Sequence, residues 1–155
     1  MEELLGDAPA ELDAVVADVV AGLGEGDVVL YTSRTLVRGS SAADSLRIAR
    51  TVSAALVDVV RRTLAQRPPR FVIAKGGITS SDVAGEGLGI RRAVVRGPML
   101  PGIVSLWEPV DGPATGIPYV VFAGNVGDDR SLLDVVGVLS PGGGSATPSA
   151  ARTSP

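Results

Sequence analysis

Two stretches of this chain carry residue types that could do chemistry with an anion. Lys75, Gly76, Gly77, Ile78, Thr79 and Ser80 follow the apolar run FVIA, and Gly124, Asn125 and Gly127 follow PYVVFA. Each lies between a strand-like stretch and a helix-like one. Glycines without Cβ atoms let the backbone turn sharply and let a bulky ligand approach its N–H groups. A helix start adds unpaired N–H donors and partial positive charge, which together suit a phosphate oxygen. Two such ends facing one crevice could hold a polyphosphate. A tight strand-to-helix turn capped by Thr79 or Ser80 accounts for the first stretch without any ligand, and both readings stand at this level. Neither stretch is a Walker A loop or a G-x-G-x-x-G fingerprint.

Charged neighbours sharpen the question. Lys75 is the one Lys among 14 basic residues and sits directly before the glycines. It is either a flexible point charge for a phosphate or a solvated strand end. A third apolar run, VVLYT, leads into Ser33 and Arg34. Arg34 could clamp an anion bidentately or pair with a surface carboxylate. Asp128 and Asp129 are candidates either for Mg²⁺ through water or for capping the helix that follows. Trp107, the single Trp, suits a core or an interface, and an adenine could also use it.

Missing residue types exclude much else. With 0 Cys and 0 His, this chain holds no disulfide, thiolate nucleophile, Cys/His zinc site or Ser-His-Asp triad. A net charge of -3 and 3% aromatics argue against a nucleic-acid partner. The acidic start MEELLGDAPAELD argues against a signal peptide, and no run reaches membrane-spanning length, so a cytoplasmic chain without a membrane partner is expected.

The elements that must position these residues read as follows. Leu12, Val15, Val16, Val19 and Val20 recur at helical spacing over residues 8–23. VVLYT and FVIA look like strands buried on both faces. SAAD at residues 41–44 has the form of a helix start, and Leu46, Ala49, Val52, Leu56, Val59, Val60 and Leu64 form one stripe up to Pro68 and Pro69. A short helix is expected over about residues 80–88, strands in RRAVV, IVSLW and PYVVFA, and a last helix in SLLDVVGVL. The pattern predicts an α/β fold with a mixed, mainly parallel sheet covered by helices on both faces. One nucleotide-binding domain is expected over residues 1–140, with a disordered tail over residues 141–155.

The ordered set VVLYTSR, KGGITSSDVA and PYVVFAGNVGDD resembles the carboxyl-terminal, nucleotide-binding domain of the four-carbon acid sugar kinase family, over roughly residues 24–140. That resemblance implies an ATP and Mg²⁺ site with Gly76, Gly77, Ile78 and Thr79 on the phosphates, and Gly124, Asn125 and Gly127 closing the other side. Lys75, Ser33 and Arg34 would stand near the charge. It implies further that an acid sugar such as threonate, erythronate or an oxo-tetronate is held by a separate amino-terminal domain. That domain is not in this sequence, and the nucleotide domain is expected to be incomplete at its start, which predicts a protein partner or a homo-oligomer. The general base is expected outside this chain. The competing expectation is a non-catalytic regulatory or interaction subunit derived from such a kinase.

Overall fold

The computed structural model describes residues 8–32, 40–100, 104–140 and 149–153. Ser33 and Arg34 lie outside them. The chain divides into two compact units, Met1–Arg67 with Ala146–Pro155, and Pro68–Ser145.

In the first unit, helix α1 (Ala8–Gly22) is followed by strand β1 (Val28–Thr32) and the long helix α2 (Ala42–Gln66). Val15, Val16 and Val19 of α1 meet Val59 of α2, and Val28 and Leu30 of β1 pack against the same cluster. Helix α2 starts where SAAD places it: Ser41 Oγ accepts from the Asp44 N–H at 3.1 Å, and the Asp44 carboxylate accepts from the Ser40 N–H at 3.0 Å. It stops at Pro68 because the residue before a proline is pushed out of the helical region; Arg67 has φ -149.

β1 departs from expectation. Its side chains alternate, with Val29 38% and Tyr31 37% exposed, whereas burial on both faces was expected. The helical core covers the face that carries Val28 and Leu30, and the pleat turns Val29 and Tyr31 the other way. Residues 149–153, within the stretch expected to be without structure, run as strand β6 (Ser149–Thr153) parallel to β1.

The second unit holds strands β2 (Val72–Lys75), β3 (Ala93–Pro98), β4 (Val104–Pro109) and β5 (Tyr119–Phe122) in the order β2-β5-β4-β3. The sheet is mixed, as expected for an α/β fold. Only β2 and β5 run parallel here; β5–β4 and β4–β3 are antiparallel, so a parallel majority is not reached. The connections explain this. Helix α3 (Gly77–Asp82), its π-helical continuation Val83–Gly87 and the β3–β4 pair separate β2 from β5, whereas β3 and β4, and β4 and β5, follow each other directly in the chain, as antiparallel neighbours can. The last helix, α4 (Ser131–Leu139), begins and ends with SLLDVVGVL.

Both faces of this sheet carry helical elements. On one, Val120 and Phe122 form a core with Val135 of α4, joined by Ile73 and Leu106. On the other, the buried Tyr119 donates its hydroxyl to the Ser80 carbonyl of α3 at 2.6 Å and meets Trp107 with ring centroids 6.0 Å apart. Burial pushes the Tyr119 hydroxyl pKa upward, so the group stays a donor.

Candidate functional site

Because β2 and β5 are parallel neighbours, with Lys75 opposite Phe122, their carboxyl ends open side by side. Ligands in α/β sheets bind at such ends. The two glycine stretches are therefore brought together: the Gly76 N–H donates to the Phe122 carbonyl at 2.9 Å, and a Cβ added to Gly124 would lie 3.5 Å from the Gly76 Cα.

Gly76 has φ 109 and turns the chain into α3, which starts at Gly77, three residues before the expected start. Thr79 and Ser80 are consequently inside the helix and do not cap it. Gly76 occupies the cap position and has no side chain to offer, so among the described residues no side chain caps the first-turn N–H groups of Gly77, Ile78 and Thr79. The Ser80 hydroxyl points backward instead, shared between the carbonyls of Ala74 at 2.8 Å and Gly76 at 2.5 Å. It fixes the turn from beneath. Ile78 stands 79% exposed at the rim.

Gly127 at φ 83 is required by its surroundings, since an added Cβ would fall 2.8 Å from the Ser131 Cβ and 3.1 Å from the Phe122 ring. Gly77 differs: its φ is not in the left-handed region and an added Cβ would meet nothing within 4 Å. Neither conformation nor packing requires a glycine there.

Lys75 spans the two stretches. Its ammonium donates to the carbonyls of Ala123 at 3.3 Å and Val126 at 3.4 Å, and lies 4.0 Å from the Phe122 ring centroid. In a trans peptide the N–H points opposite to the C=O, so both contacts turn the Gly124 and Gly127 N–H groups away from the lysine. Among the described residues, the N–H groups of Gly124, Asn125 and Gly127 donate to no protein acceptor.

Asp128 acts as a cap for α4. Its Oδ1 accepts from the N–H groups of Arg130 at 3.0 Å and Ser131 at 2.9 Å and from the Ser131 hydroxyl at 2.8 Å. The Ser131 hydroxyl first, then these N–H groups, hold its carboxyl below the ordinary value of 3.8. Sequence reasoning did not single out the structural jobs of Ser80 and Tyr119. Their only sequence signal is a hydroxyl placed where a buried side chain is due.

A family of proteins described as "Nucleotide-binding C-terminal domain" matches residues 1–132. The fold is similar to that in a crystal structure of a domain of unknown function (DUF1537) from Bordetella bronchiseptica, with bound citrate, a domain-swapped dimer. The TM-score is 0.54 at 18% identity, covering 81% of this chain and 36% of that one. The chain thus spans about a third of that protein's length. No curated protein matches. No described helix is long and apolar enough to cross a membrane. With two glycine loops side by side at the carboxyl ends of parallel strands and a family match over most of its length, the chain belongs to the family of nucleotide-binding C-terminal domains, the one its motifs resemble.

Proposed function

We propose that this chain is the ATP-binding half of a kinase that phosphorylates a four-carbon acid sugar, the sugar being held by a separate sugar-binding domain. Gly77 carries the reading. It is a glycine that neither backbone nor packing requires, and unlike Gly26 and Gly137, which share that property, it stands at the carboxyl ends of β2 and β5, where the missing Cβ leaves room for a ligand to come close. The uncapped first turn of α3 beside it supports the same conclusion.

In this reading Gly76, Gly77, Ile78 and Thr79 offer N–H groups to one side of the triphosphate, and Gly124, Asn125 and Gly127 to the other. Lys75 adds positive charge while bracing the second loop. Mg²⁺ fits the oxygen donors available: Asp129 is exposed, and Asp128 has a second carboxylate oxygen outside its capping bonds. The ion would neutralise charge on the phosphates when bound. Phosphoryl transfer depends mainly on positioning and charge stabilisation, so a site without His or Cys suffices for this half. The acceptor hydroxyl and its base belong to the sugar-binding partner, and use of ATP supports a cytoplasmic protein.

The dimeric state of the Bordetella protein supports self-association here as well. Exposed Leu46 and Val52 on α2 favour a protein partner, and with it a second reading as a non-catalytic interaction subunit. Calorimetry separates the two. ATP·Mg²⁺ should bind saturably to the purified chain and fail to bind Gly77→Val of unchanged circular dichroism. A well-folded wild type that binds no ATP would favour the interaction subunit.

A further inference from the structure

Next to Gly77, on the sheet face away from α4, a cavity of about 400 Å³ opens between α3 with its π-helical turn and strands β4 and β5. Its walls include Gly77, Ser81, Gly85, Ile90, Trp107 and Val121. The volume is in the range of small-molecule clefts. We propose that this cavity seats the base and ribose of the nucleotide, the base being a planar heteroaromatic group set against Trp107. The proposal rests on the phosphate cradle described above and extends it to the other end of the ligand.

Three observations carry it. First, Gly85 repeats the case of Gly77: it lies inside a helical turn, without a left-handed φ, and an added Cβ would meet nothing within 4 Å. Two glycines that the fold does not require thus border the same space, and the π-helical turn that carries one of them is a form frequently found at functional sites. Second, no charged side chain lines the cavity, whereas the cradle sharing Gly77 with it offers N–H donors and a lysine. A nucleotide has the same division into a neutral ring end and an anionic end. Third, the Trp107 indole N–H and the Ser81 hydroxyl bond no protein group among the described residues. They are free to read the edges of a base, while the neighbouring Ser80 hydroxyl is already engaged.

Trp107 is the single Trp, so its emission reports on this cavity alone. The full chain would be titrated with ATP, adenosine and inorganic tripolyphosphate, following emission and, in parallel, heat. Expected are saturable changes with ATP and adenosine and none with tripolyphosphate. Gly85→Val should weaken ATP at least tenfold and leave tripolyphosphate within twofold. If Gly85→Val does not fold, Ser81→Leu fills the same space from an exposed helical position. ATP binding with unchanged Trp107 emission, or at wild-type affinity in a folded filled variant, overturns the proposal and leaves the cradle standing. Adenosine quenching without tripolyphosphate binding upholds the cavity and overturns the cradle. No emission change with either nucleoside ligand overturns the cavity whatever tripolyphosphate does.

Discussion

At the scale of single residues, glycines that look alike in sequence do different work. Gly127 is held at φ 83 against Ser131 and Phe122, so Gly127→Ala should destabilise the chain by about 1–3 kcal/mol in denaturant unfolding. Gly77→Ala has open space and an ordinary φ, so it should leave stability equal or raise it by up to about 1 kcal/mol, while weakening ATP. That opposite pattern separates a fold-required glycine from a ligand-required one. Lys75 was legible as a charge beside the glycines, but its contact with two carbonyls 48 and 51 residues away was not. Lys75→Met should lower the NMR backbone order parameters of residues 123–127 without nucleotide and weaken ATP about tenfold. Order parameters unchanged in the nucleotide-free chain would mean that the lysine serves the phosphates alone.

At the scale of elements, helix starts were the most readable feature where a side chain makes the cap and the least where none does. SAAD marked α2 because Ser41 and Asp44 satisfy local donors, and Ser41→Ala should cost about 1 kcal/mol in thermal or denaturant unfolding. The start of α3 was displaced by three residues because its cap is a glycine, which leaves no side-chain signal. For α4, Asp128 makes the stability pH-dependent. Its folded-state pKa is depressed below 3.8, so the cap contributes fully above that pH and is lost as the pH falls through the depressed value. Asp128→Ala should therefore lower the melting temperature at pH 7, with the difference closing towards about pH 2, where both chains carry a neutral group. A gap of constant size across that range would remove the carboxylate from the account.

At the scale of the whole molecule, ligand binding and strand pairing supply the tests. If both glycine loops hold the nucleotide, ATP·Mg²⁺ at a hundred times its dissociation constant should stabilise the second unit by about 2.7 kcal/mol, visible as slower exchange in β2, β5 and α3. In the first unit, β1 and β6 form a sheet of only two strands, so ending the chain at residue 140 should speed exchange of the β1 amides. Exchange unaffected by the truncation would show that the helical core alone protects β1. The sequence by itself determined the kinds and order of the elements from α1 to α4, since apolar periodicity and punctuation by Gly, Pro and capping residues act locally; it did not show β6, whose apolar pattern is absent and which exists only by pairing with β1. It also determined that any chemistry must manage without His or Cys, and it carried the motifs that resemble a nucleotide-binding family. Only tertiary structure decided that β2 and β5 are neighbours and that β3, β4 and β5 run antiparallel, because strand pairing joins residues tens of positions apart. The same long-range packing decided which glycines have room beside them, and so which of them the fold could do without.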